Sequence, residues 1–212
     1  MKIINVRQKN KRNTNCIVSV SDADNSLELE LSMDLVVRER LSKNNEISKE
    51  LLDKLIAEQR IIDAKQIAFN YISYRMRSTK QVVSKLKQND FADTEINAAI
   101  EYLQDNSLLD DAVFAKNYVK DILLTKKIGR NKVFNLLCEK GIAKSIINAI
   151  LSEHFPADTL ETAVIVAERK YNLIKHKSQE KIKQSLFNHL VSKGFSFDES
   201  KEASGIVFNK HY

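Results

Sequence analysis

Two short segments of the chain place basic side chains where one predicted helix ends and the next begins. The first is Arg75-Met76-Arg77-Ser78, with Lys80 just beyond it. Because this segment straddles a helix boundary, its two guanidinium groups are expected to project beside free backbone amides. Donors of these two kinds together bind phosphate or carboxylate groups. An equally weighted alternative is structural, with Arg75 paired to an acid of its own repeat, Glu101 or Asp105.

The second segment, residues 126–132, occupies the corresponding position one repeat later. No acidic residue interrupts the sequence between Asp121 and Glu139. Because stacked repeats would align equivalent junctions, we predict a continuous basic stripe that binds a partner. The basic stripe comprises Arg75, Arg77, Lys80, Lys126, Lys127, Arg130 and Lys132. Three tyrosines are weaker candidates for its edges, since helical tyrosines are more often partly buried: Tyr71, Tyr74 and Tyr118.

No pattern in the sequence supports catalysis. The four glycines are scattered and make no phosphate-binding loop, and no serine lies in a nucleophile elbow. The four histidines lack the spacing to one another, or to cysteine, that a metal site requires. We therefore predict no catalytic residue, no metal, no cofactor and no enzymatic activity. Cys16 and Cys138 are expected to be free thiols in a reducing cytoplasm.

The pair Asp110-Asp111 could be taken for metal-binding carboxylates. However, an apolar helical face follows it directly, with Phe114, Ala115 and Tyr118 at helical spacing. Aspartate at the start of a helix accepts hydrogen bonds from free amides and compensates the helix dipole. We therefore predict that this pair caps a helix.

A repeated helix-ending pattern indicates which elements position these side chains. Three times a leucine is followed four residues later by Gly or Asp and then by an apolar residue: Leu86…Asp90-Phe91, Leu137…Gly141-Ile142 and Leu190…Gly194-Phe195. This spacing predicts a Schellman helix end, in which the Gly or Asp turns left-handed and the apolar residue folds back onto the leucine. Glycine adopts that conformation freely and aspartate tolerates it.

Apolar residues around these helix ends recur in three copies. Val82, Val83 and Leu86 correspond to Val133, Phe134 and Leu137, and again to Leu186, Phe187 and Leu190. Such a period indicates a repeat fold in which no single unit can bury its own apolar face. Proteins of this kind usually bind something large along an extended surface.

Residues 1–32 follow a different pattern. Residues 27–31 alternate apolar and charged side chains, Cys16, Val18 and Val20 recur with the same period of two, and turn-forming residues 22–25 lie between the two segments. This alternation predicts a β-hairpin over residues 15–31. A further strand is predicted around Ile3 and Val6, joined to the hairpin by the basic loop Lys9–Asn13.

From Ser32 onward the apolar period is helical. Short helices are predicted at residues 34–41 and 48–56 and a longer one at 63–76, with Ser78, Asp93 and Ser178 capping later helices. The predicted fold class is mostly α: tandem three-helix repeats in an elongated array, with a small N-terminal antiparallel β-sheet. The predicted division is a sheet (1–32), short linking helices (33–62) and three repeats (63–109, 110–155 and 156–212).

Composition agrees with this fold class. Hydrophobic residues make up 43% of the chain, which contains one proline and no tryptophan. No apolar stretch resembles a membrane span or a signal peptide, so we expect a cytoplasmic protein. The net charge of +6 suits nucleic acid or an acidic protein surface as partner.

Several of these junction residues together resemble the RecX family, bacterial regulators of the RecA recombinase. The resemblance rests on Arg75-Met76-Arg77-Ser78, on Leu108-Leu109-Asp110-Asp111 followed by Phe114-Ala115, and on Lys140-Gly141-Ile142. It covers roughly residues 65–205, and the N-terminal part resembles the extension of Gram-positive members. Departures from the family pattern at Gln81, Asp90 and Asn106-Ser107 concern helix caps more than surface character.

The resemblance implies a non-enzymatic modulator that acts in DNA repair and the SOS response. Such a protein binds RecA–DNA filaments along their groove and inhibits RecA ATPase, strand exchange and coprotease activity. The implied partners of this monomer are the RecA filament and single-stranded DNA, contacted directly or through RecA. The alternative is a nucleic-acid-binding module that competes for DNA, but no helix groups Asn, Gln and Arg on one base-reading face.

Overall fold

The N-terminal part of the chain is a three-stranded antiparallel sheet, as predicted. The computed structural model describes residues 1–9, 15–22 and 25–212. Strands β1 (Lys2–Gln8), β2 (Asn15–Asp22) and β3 (Asn25–Ser32) pair in the order β1-β2-β3. Most of the predicted basic loop and the centre of the predicted turn lie outside the described residues.

One face of the sheet is buried against the helices that follow. The β2–β3 ladder is in continuous register, whereas the β1–β2 ladder shifts between Ile3 and Asn5. Alternation along the strands places Ile3, Val18 and Leu31 in an apolar core, each at most 1% exposed. Leu35 and Leu55 of the first two helices belong to the same core.

Ten helices follow the sheet within the described residues. They are α1 (Met33–Arg38), α2 (Lys49–Ser73), α3 (Thr79–Lys87), α4 (Asp93–Asp105), α5 (Asp111–Thr125), α6 (Arg130–Glu139), α7 (Lys144–His154), α8 (Leu160–Ile174), α9 (Gln179–Ser192) and α10 (Phe197–His211). The predicted class, mostly helical with a small sheet, is confirmed. None of these helices combines the length and the apolarity needed to cross a bilayer.

One prediction about the helices is wrong. Separate helices were expected at 48–56 and 63–76, whereas α2 is one helix from Lys49 to Ser73. Residues 57–62 contain neither glycine nor proline, so nothing there interrupts the helix. Buried Gln59 accepts a hydrogen bond from the Ser32 amide at 2.6 Å and donates one to Asp63 at 2.8 Å. This polar residue breaks the apolar pattern without breaking the helix.

The helices from α2 onward form three-helix repeats, with α3, α6 and α9 as the equivalent central helices. In each repeat the flanking helices pack on each other: α2 on α4, α5 on α7 and α8 on α10. Six corresponding residues of the central helices are each 0% exposed: Val82, Leu86, Val133, Leu137, Leu186 and Leu190. These apolar residues, which recur in the sequence, are therefore also residues that each repeat buries. The predicted division into domains stays a prediction, and its boundary at 62/63 falls inside α2.

The chain separates into two compact units. The first contains residues Met1–Arg75 and Val82–Leu108, which include the sheet, α2 and α4. The second contains Met76–Gln81 and Leu109–Tyr212, and thus the start of α3 and all helices from α5 onward. Within the second unit, the repeat α5–α7 and the repeat α8–α10 each have an apolar core of their own.

All three predicted helix ends are Schellman motifs. The φ angles of Asp90, Gly141 and Gly194 are 58°, 83° and 87°. The next amide in each case donates back to the leucine carbonyl: Phe91 to Leu86 at 3.4 Å, Ile142 to Leu137 at 3.1 Å and Phe195 to Leu190 at 3.3 Å. The three Schellman motifs predicted from the sequence are confirmed.

The same motif also ends α4 and α1, where it was not predicted from the sequence. Ser107 has a φ of 55°, and the Leu108 amide donates to the Leu103 carbonyl at 2.8 Å. Arg40 has a φ of 49° at the equivalent position after α1. Neither Ser nor Arg favours the left-handed region, so residue type gave no signal there.

The predicted N-caps are confirmed in part. Asp110 accepts hydrogen bonds from two amides of the first turn of α5, at 2.7 and 3.1 Å. Asp93, by contrast, is the first residue of α4 rather than its cap, because Glu95 accepts the Ala92 amide at 2.7 Å instead. Ser178 occupies the N-cap of α9, but its side chain makes no capping hydrogen bond.

Candidate functional site

The first junction joins the start of α3 to the end of α6. Ser78 caps α3 through the predicted capping box: its hydroxyl accepts from the Gln81 amide at 3.4 Å, and the Gln81 side chain accepts from the Ser78 amide at 3.1 Å. The Ser78 side chain is buried, and its hydroxyl donates to the carbonyl of Lys140, the C-cap of α6, at 2.7 Å. One helix start is thereby bonded to another helix end.

Two charged side chains complete the first junction. Lys80 donates from Nζ to the carbonyl of Glu139 at 3.2 Å, and a Cβ built on Gly141 would lie 2.6 Å from the Cβ of Lys80. Asp111 accepts from the amide of Thr79 at 2.8 Å. The aspartate pair therefore caps two helices: Asp110 caps α5, and Asp111 binds the first turn of α3.

The second junction joins the start of α6 to the end of α9 by direct backbone hydrogen bonds. The Gly129 amide donates to the Lys193 carbonyl at 3.0 Å, and the Asn131 amide donates to the Gly194 carbonyl at 3.0 Å. A Cβ on Gly129 would lie 2.3 Å from the carbonyl carbon of Gly194, and one on Gly194 would lie 2.2 Å from the amide nitrogen of Lys132. Both glycines are required because the two backbones touch.

Five residues of the basic stripe are exposed: Arg75, Lys80, Lys126, Lys127 and Arg130. Across the described ranges, Arg75, Lys126 and Lys127 form no ion pair. The structural alternative, in which Arg75 pairs with Glu101 or Asp105, is therefore wrong. Arg75 belongs to the first compact unit, and the other six stripe residues belong to the second.

Four of the stripe residues are partly engaged in the fold. Arg130 donates from Nη1 to the Leu151 carbonyl at 2.7 Å and from Nη2 to the Ser152 hydroxyl at 3.3 Å, so it closes the end of α7. Lys80 holds the end of α6, as described above, and Arg77 and Lys132 are half-buried. That the seven residues form one continuous surface stays a prediction.

The three candidate tyrosines differ in exposure. Tyr74 is 88% exposed, whereas Tyr71 and Tyr118 are half-buried. Tyr118 stacks on Phe114 with ring centroids 5.8 Å apart, and burial, together with the charge of Glu139, raises the pKa of its hydroxyl. The Tyr118 ring thus belongs to the core of its repeat, while Tyr74 presents its ring to solvent.

A basic groove that the sequence analysis missed lies in the second compact unit. It consists of two depressions that share Lys170 and His189, with volumes of about 390 Å³ and 770 Å³. The smaller depression is lined by Lys126, Lys127, Ile128, Val166, Arg169, Lys170, Leu173, His189 and Lys193. The larger is lined by Lys170, Lys177, Ser178, Lys181, Gln184, Ser185, Asn188 and His189. We call the two together the basic groove.

The basic groove gave no signal in the sequence because its cations come from separate elements. Arg169 and Lys170 follow Glu168 in α8, and Lys181 follows Glu180 in α9, so no run of like charge is visible. Packing of α8 against α9 gathers these cations on one side. Burial, and then the nearby charges of Lys170 and Lys193, lower the pKa of His189, as expected in a positive environment.

The described residues contain no group of three His, Cys, Asp or Glu side chains arranged to hold a metal ion. Cys16 is buried and Cys138 is half-buried, and neither forms a disulfide. The chemistry available at the junctions and at the basic groove is therefore hydrogen-bond donation and positive charge.

Comparison with known proteins gives a consistent result along the chain. Residues 64–103 match the model of the RecX first three-helix domain, and residues 157–203 match that of the RecX third three-helix domain. A protein named Regulatory protein RecX from Clostridium perfringens (strain 13 / Type A) is 31% identical over 92% of this chain and 90% of its own length. One of the same name from Clostridioides difficile (strain 630) is 30% identical over 99% of this chain and 97% of its own.

Two solved structures share the fold. A crystal structure of regulatory protein RecX superposes with a TM-score of 0.75 at 22% identity and covers 98% of both chains. The crystal structure of RecX from Lactobacillus salivarius superposes with a TM-score of 0.59 at 32% identity, over 70% of this chain and 96% of that one.

Proposed function

Because this chain belongs to the RecX family of regulatory proteins, we propose that it regulates the RecA recombinase by binding RecA–DNA filaments. It binds along the helical groove of the filament and inhibits ATP hydrolysis, strand exchange and coprotease activity. It acts in the cytoplasm as a monomer during DNA repair and the SOS response, without catalysis of its own.

The observation that supports this function best is the exposed charge at the second junction. Lys126 and Lys127 lie in the loop before α6, and neither forms an ion pair in the described part of the chain. A filament of protein on DNA offers both acidic side chains and phosphates, and ammonium groups that are not neutralised within their own protein attract both.

The seven residues of the basic stripe have different roles in this proposal. Arg75, Lys126 and Lys127 are the contacts with the filament, because they are exposed and form no ion pair within the described part of the chain. Lys80 and Arg130 act indirectly, since their donors bind helix-ending carbonyls and hold the junctions in place. Replacement of Arg130 should therefore affect stability as well as binding, whereas replacement of Lys127 should affect binding alone.

The proposal is tested by the ATPase activity of RecA that has already been assembled on single-stranded DNA. The wild-type chain should inhibit this ATPase at substoichiometric ratios to RecA. The variant Lys126→Glu with Lys127→Glu should inhibit less at every ratio. The control Lys43→Glu with Lys49→Glu makes the same change in charge at exposed positions of the first compact unit and should inhibit like the wild type. Absence of inhibition by the wild type at equimolar ratio would contradict the proposal.

Salt dependence separates filament binding from the alternative, a module that competes for DNA. Affinity for naked DNA falls with salt as counterions are released, by about 0.7–0.9 log units per log of salt for each phosphate contacted. Contacts with a RecA surface are less sensitive, because screening removes only the long-range attraction. We expect stronger binding to the filament than to naked DNA at physiological salt. Equal affinity for both, with equally steep slopes, would favour the alternative.

A further inference from the structure

We propose that the outer edge of strand β3 binds an extended segment of another protein, in which basic and apolar side chains alternate. The bound segment adds a fourth strand to the N-terminal sheet. This edge belongs to the first compact unit and contains no residue of the basic stripe or of the basic groove. The inference therefore goes beyond the proposed function and does not depend on it.

The two edges of the sheet are protected differently. Residues 44–47 run along the edge of β1, where the Ile3 amide donates to the Asn45 carbonyl at 2.9 Å. At β3, the Ser32 amide donates to the side chain of Gln59 at 2.6 Å, which closes the last position of the strand. Within the described residues, no backbone segment bonds to the rest of the outer edge of β3.

The pairing of the strands identifies the groups that face outward from β3. The Asn15 carbonyl of β2 accepts from the Lys9 amide, so Asn15 and every second residue after it direct their backbone groups toward β1. The residues of β3 opposite these positions direct theirs away from the sheet: Ser26, Glu28 and Glu30. In the part of the chain that the structure describes, the amides and carbonyls of these three have no hydrogen-bond partner. They form an unpaired ladder to which a further strand can bond.

The core face of the sheet is open at the same edge. One row of side chains crosses the sheet from Ile3 through Val20 to Leu27, and their exposure rises from 0% and 2% to 46%. Leu29 lies on the same face of β3 and is half-buried against the core. A strand paired with β3 covers both leucines if every second side chain of that strand is apolar.

The solvent face of β3 is acidic. The Glu28 and Glu30 side chains are 60% and 36% exposed. Arg7 lies 3.8 Å from Glu28 and Lys9 lies 2.5 Å from Glu30, although both basic residues reach across β2 to do so. Because neighbouring strands are about 4.8 Å apart, basic side chains of a strand added to β3 approach these carboxylates from half that backbone distance. Opposite charges on neighbouring strands stabilise the pair.

The same charges disfavour a second copy of this chain as the occupant. An antiparallel pair of β3 strands centred on Glu28 or Glu30 brings the glutamates of the two copies together, and like charges at opposed positions destabilise a sheet. Strand β1 of a second copy carries suitable side chains, but its edge is already bonded to residues 44–47. The occupant is therefore a strand of another protein with lysine or arginine at alternate positions.

The test is fluorescence anisotropy of the full chain with a labelled seven-residue peptide of alternating lysine and valine. The wild type should bind this probe at least about tenfold more tightly than the matching glutamate–valine peptide. Glu28→Gln with Glu30→Gln should weaken binding of the lysine probe by about three- to tenfold. The control Glu101→Gln with Asp105→Asn removes the same charge at exposed positions of α4 in the same compact unit, and should bind like the wild type.

Two methylated probes test the backbone pairing without any change to the protein. Lysines opposite Glu28 and Glu30 direct their amides toward β3, so N-methylation of the lysine residues should weaken binding about tenfold or more. N-methylation of the valine residues leaves that side of the probe intact and should not weaken binding. In the protein, Ser26→Pro removes one outward amide without changing charge or a bond to β2, and should weaken binding about threefold.

Absence of binding of the lysine probe by the wild type would overturn the proposal. Equal binding of the two methylated probes would also overturn it, because attraction would then follow charge alone, and so would equal losses in the β3 variant and the α4 control. A dimer of this chain that Ser26→Pro dissociates would overturn the assignment as well, since a second copy would then be the occupant.

Discussion

The two junctions of the second compact unit make the same connection with different chemistry. At the first, the Ser78 hydroxyl bridges to the Lys140 carbonyl at 2.7 Å. At the second, no side chain intervenes, and the Gly129 amide bonds directly to the Lys193 carbonyl at 3.0 Å. A serine side chain therefore spaces the first pair of helices, whereas the second pair meets backbone to backbone.

This difference shows what determines an N-cap in a repeat protein. Ser78 and Gly129 cap equivalent helices, and serine is slightly better than glycine for the helix alone, by a few tenths of a kcal/mol. Gly129 nevertheless occupies the second junction, because any Cβ there would lie 2.3 Å from the backbone of Gly194. The cap is thus determined by the helix end that it contacts rather than by its own helix.

The largest expected effect is that of Gly194→Ala. The alanine would hold a left-handed φ of 87° and would place its Cβ 2.2 Å from the backbone nitrogen of Lys132. Backbone atoms cannot rotate aside, so conformational strain and steric overlap add, and we expect a loss of about 2–5 kcal/mol in the free energy of unfolding. Urea denaturation measures this value.

Two further alanine variants isolate the causes. Gly129→Ala has a φ of −80° and should show the overlap without the conformational strain. Gly205→Ala, in the interior of α10, meets no atom within 4 Å and should stabilise the protein by about 0.5–1 kcal/mol. Destabilisation by all three variants to the same degree would show that the junctions are not special.

The next effect is that of Gly141→Ala at the first junction. Its φ of 83° demands the same strain, but its Cβ would meet the side chain of Lys80 rather than backbone. We therefore expect a loss of about 1–3 kcal/mol, less than at Gly194. Gly141→Val should lose more than about 1 kcal/mol, since a branched Cβ resists positive φ. An unchanged melting temperature would contradict this account of the junction.

Ser78→Ala tests the hydroxyl bridge directly. The variant leaves the Lys140 carbonyl without its donor and α3 without its cap, so we expect a loss of about 1–2 kcal/mol. Ser78→Thr, which keeps the hydroxyl, is the matched control and should lose less. If alanine and threonine were equally harmful, space rather than hydrogen bonding would define the first junction.

Asp111→Ala should have a smaller effect at the same junction. It removes the acceptor of the Thr79 amide, and we expect a loss of about 0.5–2 kcal/mol in thermal melts. Chelators and added divalent metal should not alter the melting temperature of wild type or variant. A chelator that reproduced the variant's loss would restore the metal-site interpretation of the aspartate pair.

The smallest expected effect is a change in how stability depends on pH. It distinguishes the junction bonds between uncharged groups from the first repeat, which contains an ion pair. The junction bonds to Lys140 and Lys193 involve backbone and hydroxyl groups, whereas α2 and α4 of the first repeat are linked by the ion pair of Arg60 with Glu95 at 2.5 Å. Hydrogen bonding from Arg60 lowers the pKa of Glu95 below its ordinary value. The stability that this provides is present above the ordinary pKa and is lost as pH falls through the lowered one.

Glu95→Gln should therefore flatten the pH dependence of unfolding in the acidic range. We expect the variant to lose only about 0.5–1 kcal/mol at neutral pH, since solvent screens the half-exposed Arg60. Parallel pH profiles of variant and wild type would assign the acid sensitivity to other carboxylates. The Gly194→Ala variant should retain the wild-type profile, because no titrating group is removed.

The helix ends could be predicted because their cause is local. Left-handed φ at Gly141 or Asp90 and the bond back to the leucine both lie within five residues of sequence. The junction partners could not be predicted in the same way, because nothing near Ser78 specifies the Lys140 carbonyl. Asp111 was likewise predicted to cap its own helix, α5. Its carboxylate instead accepts the Thr79 amide at the start of α3, which is distant in sequence.

The basic side chains show the same limit. Lys126 and Lys127 were found because they adjoin in a stretch of sequence without acidic residues, whereas Lys170 and Lys181 share one groove only because α8 packs on α9. Arg130 was chosen for its charge, but the nearby end of α7 uses its donors. The charge of a side chain can be read from the sequence, whereas the residue that pairs with it or accepts its hydrogen bonds depends on how the helices pack.

The direction of the junction bonds has a consequence for synthesis. The starts of α3 and α6 are completed by carbonyls of the repeat that follows each in the chain, Lys140 and Lys193. On a ribosome adding about 5–20 residues per second, α6 emerges on the order of seconds before the end of α9. During that interval the Gly129 amide lacks its acceptor, the Lys193 carbonyl. The starts of α3 and α6 therefore stay incomplete until the following repeat has been synthesised, and the second junction forms only after the end of α9 has been made.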